Sequence, residues 1–248
     1  MVDKSKLLKG ILLIGFISTT IYGCGTQKSL VAAERERIVT TIDLTNVVDD
    51  KVMVVVDPGR FKTDELTFFI PKTVPGTYSE DDYGKYIEQF KALDYKGGEL
   101  DFERLDNNSW VIANAADLDK VTYWVNDTYD TEREMEDKVF SPAGTNILEG
   151  KNFMLNLHGF VGYFSDLEES PYILKIMAPD NMEPMTSMGR GAADPKNPSV
   201  DVFNAGRYFE VMDNPILYAK PDTETFQVGD IEEALAYIPL MDIIRRLV

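Results

Sequence analysis

The chain has 248 residues, with 42 acidic side chains against 25 basic ones, a formal charge of −17, one histidine and one cysteine. So acidic a surface repels nucleic acid and anionic lipid, which excludes a phosphate-tracking protein. One cysteine excludes a disulfide framework, and a lone histidine excludes a multi-histidine metal centre.

The N-terminus reads as a targeting signal. Lys4, Lys6 and Lys9 form a positive region, and Leu7 to Ile21 is mostly apolar. That run is shorter than the roughly 20 residues a spanning helix needs. It ends in Ile21-Tyr22-Gly23-Cys24, which resembles a bacterial lipobox. The resemblance implies cleavage before Cys24 and acylation of that cysteine, so residues 1–23 are expected to be a cleaved signal helix. Membrane lipid, reached through the acyl chains on Cys24, is the first expected partner. The expected location is the bacterial cell envelope, at the outer membrane or cell surface rather than the inner membrane. With Cys24 acylated the mature protein has no thiol, and its stability must come from a packed core. The signal region carries +2 (three lysines less Asp3), which leaves the mature chain near −19. Residues 24–37 are polar and without period, a tether of at most about 45 Å.

From residue 38 the pattern is one of short strands. Val39 to Leu44, Val52 to Val56 and Leu66 to Ile70 are β-branched or aromatic runs, separated by Asp49-Asp50-Lys51 and Asp57-Pro58-Gly59. Pro75-Gly76 is suited to the centre of a type II turn. Ser79 to Asp82 would cap a brief helical turn, and Tyr83, Tyr86, Ile87 and Phe90 have helical spacing. Glu88–Tyr95, Glu99–Arg104, Ser109–Ala113 and Val121–Asp127 form a meander with turns at Lys96-Gly97-Gly98 and Asp106-Asn107-Asn108. Strands at about ten-residue spacing predict a mainly β fold, an antiparallel β-sandwich with short helical segments, over residues 38–230.

Tyr129–Lys138 is charged and reads as an exposed loop or short helix. Phe153–Leu157 and Tyr172–Met177 are further strands, and Pro179–Pro198 is a long surface loop or the edge of a second sheet. Residues 231–248 are expected to form a helical tail, interrupted at Pro239, as the start of a further domain.

Phe69-Ile70-Pro71, Pro75-Gly76-Thr77-Tyr78, Tyr83-Gly84-Lys85-Tyr86-Ile87, Phe90-Lys91-Ala92, Asn108-Ser109-Trp110 and Tyr208 to Ile216 follow one another along the chain. In that order these blocks resemble the N-terminal domain of the glycyl-aminopeptidase family of zinc metallopeptidases. The resemblance implies a mostly β domain preceding a thermolysin-like catalytic domain that carries His-Glu-x-x-His. Two histidines four apart on a helical face bind zinc there, and the glutamate activates water. These 248 residues contain no such motif. No catalytic residue and no cofactor is therefore assigned to them. Zinc is expected only in a catalytic domain beyond them, and the chain alone is expected to be inactive. A peptide substrate and a separate catalytic domain are the further expected partners; nucleic acid is not.

His158 reads as a structural histidine rather than a base or ligand. The acids at Glu80-Asp81-Asp82 and Glu132 to Asp137 lack the alternating oxygens of a calcium loop and read as solvated faces. Pro75, Gly76, Tyr78, Tyr83, Gly84 and Trp110 are the motif positions that shape the fold or line a groove, Tyr78 and Tyr83 being the least core-like. Met182, Met185 and Met188 read as adaptable packing. The leading expectation is a non-catalytic, membrane-anchored β domain of a glycyl-aminopeptidase-like protein. The alternatives are a stand-alone lipoprotein that captures peptides or glycans, and a small enzyme using carboxylates alone.

Overall fold

The computed structural model describes residues 37–129, 139, 141–220 and 222–237. The signal region, Cys24, the charged stretch 130–138 and the expected helix from Leu240 onward lie outside the described residues. Strand β1 (Ile38–Val48) turns at Asp49 and Asp50 into β2 (Lys51–Asp57). Both turn residues have positive φ, 50° and 55°, the twist-matched geometry of a two-residue hairpin. In β2 the burial alternates, with Val52, Val54 and Val56 inside, as a one-sided sheet requires. Asp57 Oδ1 accepts the Gly59 amide at 3.0 Å and ends the strand.

Strand β3 (Glu65–Phe69) leads through the Pro71–Asp82 loop and a 3₁₀ turn at Tyr83–Tyr86 into β4 (Ile87–Asp94). The helical spacing of Tyr83, Tyr86, Ile87 and Phe90 therefore covers one 3₁₀ turn and a strand, not a helix. Asp82 occupies the N-cap position, but in left-handed conformation and without a side-chain cap bond. The next strands are β5 (Glu99–Leu100), β6 (Phe102–Arg104), β7 (Ser109–Ala113) and β8 (Leu118–Asn126). After them come β9 (Asn146–Leu148), β10 (Asn152–Leu155), β11 (Tyr163–Phe164), β12 (Tyr172–Met177), β13 (Glu183–Met185) and β14 (Val200–Ala205). Helix α1 (Tyr208–Met212), β15 (Ile216–Ala219), β16 (Asp222–Val228) and β17 (Ile231–Tyr237) complete the described chain.

A seven-stranded sheet has the order β14-β12-β1-β2-β8-β4-β5, and two four-stranded sheets have the orders β11-β3-β7-β6 and β13-β15-β10-β9. The fold is mainly β, a sandwich, as the strand spacing predicts. It departs from a purely antiparallel one at β1 and β12, which pair in parallel from Ile38↔Tyr172 to Asp43↔Met177. Single-strand patterns carry no information on the direction of a partner more than 100 residues away. The Pro179–Pro198 stretch supplies the short edge strand β13, paired with β15. The expected helix from Ile231 is over Ile231–Tyr237 a strand, β17, paired with β16 around the Gly229 turn. Ala, Leu and Glu favour helix there, and a cross-strand partner overrides that weak preference.

Phe68 on β3 joins two sheets. Its ring lies 5.6 Å from Phe90 on β4, 5.6 Å from Tyr123 on β8, 5.0 Å from Phe164 on β11 and 6.1 Å from Trp110 on β7. Aromatic side chains bury large areas and favour such tilted contacts, so this cluster ties the two sheets together in the core. Replacing Phe68 with alanine should lower stability by roughly 3–5 kcal/mol. Phe69→Ala, on the half-buried face against Tyr163, should cost less than half of that. Urea denaturation of both variants checks the difference; equal losses would mean that Phe68 is not the sheet-to-sheet anchor.

Candidate functional site

The loop between β3 and β4 is closed at its neck by the backbone. The amides of Asp81 and Asp82 both donate to the Lys72 carbonyl at 3.0 Å, and the Tyr83 amide donates to the Pro71 carbonyl at 3.3 Å. Lys72 and Glu80 form an ion pair across the same neck at 2.9 Å. At the tip, Pro75 and Gly76 are the central pair of a turn in which the Thr77 amide reaches the Val74 carbonyl at 3.3 Å. Gly76 has φ of +94°, as the second central residue of a type II turn must. Beyond it, Tyr78 also has positive φ, 57°. A bulky residue there costs about 1–2 kcal/mol and persists only where its surroundings determine it. Its side chain is 101% exposed.

The base of the loop is clipped to the turn between β6 and β7. Asn108 Oδ1 accepts the Gly84 amide at 2.9 Å, and Asn108 Nδ2 donates to Asp82 Oδ1 at 2.7 Å. The Asn108 carbonyl accepts the Ile70 amide at 2.9 Å, and its amide donates to Asp106 Oδ1 at 2.7 Å. Arg104 adds a second clasp, donating through Nη2 to the carbonyls of Gly84 and Asn107 at 2.9 and 2.8 Å, with its guanidinium 4.9 Å from the Trp110 ring centre. Gly84 is required by this contact: a Cβ on it would fall 2.1 Å from the Asn107 carbonyl oxygen.

Behind the clip lies a polar cluster in the core. Tyr83 donates through its hydroxyl to Asp81 Oδ2 at 3.1 Å, and Ser79 donates to Asp81 Oδ1 at 3.0 Å. Burial first, and the Asp81 carboxylate second, push the Tyr83 phenol well above its ordinary range. The Tyr83 ring meets that of His158 edge to face at 4.5 Å. His158 Nε2 lies 2.9 Å from the Ala143 carbonyl, which can only accept, so Nε2 carries the proton. Among the described residues, buried Nδ1 has no hydrogen-bond partner. Burial lowers the histidine pKa from 6.5, opposed by the carbonyls of Ala143 and Met212 and by Asp81. Asp127, also buried, accepts the amides of Tyr129 and Ile147 at 3.1 and 3.2 Å.

The motif positions therefore part company. Pro75 and Gly76 make the turn, and Tyr78 projects from it. Tyr83 and Trp110 are buried, so Tyr83 belongs to the core although its place beside a turn makes it one of the two least core-like motif residues. Gly84 serves close packing. Asp81 departs from the expectation of a solvated acid cluster, because Ser79 and Tyr83 draw its carboxylate inside. Met182 and Met188 are buried in the core and Met185 is half-buried. Asn108, Arg104 and Asp127 were not singled out by sequence as site residues. The Asp-Asn-Asn turn held a signal for Asn108, but its partners 24 and 26 residues away did not show. Among the described residues no three His, Cys, Asp or Glu side chains come together as a metal site, and Nε2 of His158 is committed to a carbonyl. These residues do not fit a zinc ion.

Residues 40–220 match the family profile of the peptidase M61 N-terminal domain. The chain belongs to that family. A solved structure of an aminopeptidase N family protein from Idiomarina loihiensis has a similar fold, with a TM-score of 0.67 at 21% identity. The match covers 85% of this chain and 35% of the Idiomarina one, so the chain spans about a third of its length. An M1 zinc metallopeptidase from Deinococcus radiodurans aligns at 8% identity and a TM-score of 0.41, over 81% of this chain and 46% of that one. Comparison with curated proteins gives no match. The M61-type domain thus carries the Pro75–Tyr78 turn and the Asn108 clip within the matched span.

Two outcomes are expected. Gly84→Ala should destabilise the domain by about 1–3 kcal/mol or more, because Asn107 is backbone and cannot swing aside. Thermal and urea unfolding read this, and a neutral effect would deny the close approach. The second concerns pH. The folded pKa of His158 lies below the unfolded value of 6.5. As pH falls through about 6.5 the unfolded state therefore binds more protons, and stability drops. His158 is the only histidine, so His158→Gln should flatten the stability profile between pH 7.5 and 5.5 relative to wild type. Parallel slopes in the two proteins would contradict a neutral, buried His158.

Proposed function

We propose that this M61-type domain is the non-catalytic β domain of a membrane-anchored metallopeptidase, shaping the substrate side of a zinc-bearing catalytic domain rather than performing hydrolysis itself. The observation that carries the reading is the family match over residues 40–220 in a sequence whose one histidine is buried against a carbonyl. Peptide-bond hydrolysis by the family's chemistry needs a zinc-activated water held by several ligands. This domain offers instead a packed β frame with the hydrogen-bonded Pro71–Asp82 loop and its exposed Tyr78. The charge of −17 supports attachment through lipid on Cys24 rather than through basic patches.

A second reading, a stand-alone binding lipoprotein, draws support from the exposed Tyr78 on its closed loop. The two readings part on whether function needs a catalytic domain.

Purified chain incubated with zinc and N-terminal glycyl or alanyl peptides should show no turnover above a metal-free blank. Turnover that disappears in His158→Ala would overturn the non-catalytic reading. Anchoring is checked separately in a bacterial host supplied with labelled palmitate. The wild-type chain should take up label and partition with membranes, and Cys24→Ser should lose both; an unlabelled, soluble wild type would refute the anchor.

A further inference from the structure

We propose that the outer face of the seven-stranded sheet is a lipid-contacting surface, on which the domain lies against the interface of a zwitterionic bilayer. The inference rests on the membrane-anchored reading above, which brings a bilayer within reach of the domain. A sheet that covers a core on one side and meets water on the other alternates apolar inside with polar outside. Here Ile42, Val54, Tyr123 and Leu174 face the core, but the outward positions between them do not turn polar. Val39, Met53, Val55, Trp124, Ile173 and Met177 are half-buried and point to the opposite side. Pairing brings them together across β12, β1, β2 and β8, which are neighbours in that order. Val39 stands opposite Ile173, Met53 opposite Trp124, and Val55 between Thr41 and Thr122.

Two features select a bilayer as the occupant. The first is where the tether enters. Residues 24–37 run directly into β1 at Ile38, and β1 lies within this apolar tract. A coil of that length spans about 20 Å on average, so an anchor on Cys24 keeps the tract close to lipid headgroups. A contact that would be weak in free solution then forms at high effective concentration. The second feature is charge. The chain carries −17, yet the charges on this face are matched. Lys51 pairs with Glu88 at 3.2 Å and Lys175 with Asp194 at 2.7 Å, while Asp43 Oδ1 accepts the amide and hydroxyl of Thr45 at 2.9 and 2.6 Å. Such a surface suits zwitterionic headgroups rather than anionic ones, which call for clustered lysine and arginine. A second copy of the chain is disfavoured as the occupant, because two such acidic molecules repel. Trp124 supplies a ring with a polar edge, the side chain best suited to the boundary between lipid and water.

The test uses the full chain, whose only thiol is Cys24, coupled to a maleimide-bearing lipid in phosphatidylcholine vesicles, so that tethering does not depend on acylation in a cell. Part of the phosphatidylcholine carries a nitroxide on its headgroup, which quenches tryptophan at close range. The chain has two tryptophans, Trp110 in the core and Trp124 on the outer face. The wild type should be quenched, and Trp124→Phe, which leaves only Trp110, should not be. Met53→Glu should cut the quenching about twofold or more, because an unpaired carboxylate would then have to enter the interface. Val55→Glu repeats the measurement at a second position, and urea midpoints show that the variants compared are folded. An unquenched wild type, quenching undiminished in both folded glutamate variants, or a dimer in solution that these variants dissociate would each overturn the proposal, the last by giving the face to a second copy. Failure of the anchoring reading looks different. A chain that takes up no palmitate in the host but is quenched once coupled loses only its acylation and keeps its lipid-contacting face, whereas an acylated chain that is not quenched keeps its anchor and loses the face.

Discussion

The side chain of Asn108 is the constraint on which the motif region depends. A carboxamide can accept from a buried amide through its oxygen and donate to a carboxylate through its nitrogen at once. Here it accepts from Gly84 and donates to Asp82, joining the start of the 3₁₀ turn to the β6–β7 turn. Its backbone meanwhile pairs with Ile70 and Asp106. An aspartate in its place would set two carboxylates against each other, and a leucine would leave the Gly84 amide buried without an acceptor, a penalty of about 1–3 kcal/mol. The left-handed conformations of Asp82 and Tyr78 are tolerable because the clip and the loop neck determine them from both sides.

Outward from the clip, polar order gives way to apolar packing. Arg104 lies over Trp110, Trp110 stacks on Phe90 at 5.0 Å, and Phe90 meets Phe68 across the sandwich and Tyr123 on the neighbouring strand β8. The loop is thereby rooted in the aromatic cluster between the sheets. Movement of its base would disturb ring contacts between two sheets. On the other side, Tyr83 passes the same rigidity to His158 and through it to Ala143.

Much of the fold was legible in the sequence. Val52–Val56 and Tyr172–Met177 alternate or run apolar between turn residues, and each became the strand it predicts. Pro75-Gly76 specified its own turn, because proline and glycine restrict φ locally. Where the reading failed, the deciding partner was distant. Tyr83 beside a turn reads as one of the least core-like motif residues, and it is buried because His158, 75 residues on, covers it. Asp81 looked solvated, and it is inside because Tyr83 and Ser79 satisfy its oxygens. Ile231–Tyr237 had helical composition, and β16 made it a strand.

By itself the sequence determined the strand-and-turn rhythm, the acidic surface, the lack of a His-Glu-x-x-His motif within these residues and the resemblance to a peptidase β domain. Those are properties of composition and of contacts within a few residues, which period, charge and turn chemistry express directly. Only the tertiary structure decided which motif tyrosine faces solvent, that β1 and β12 run parallel, and that Asn108 fastens the loop. Those depend on hydrogen bonds and ring contacts between segments 24 to more than 100 residues apart, and no local pattern records which distant groups will meet.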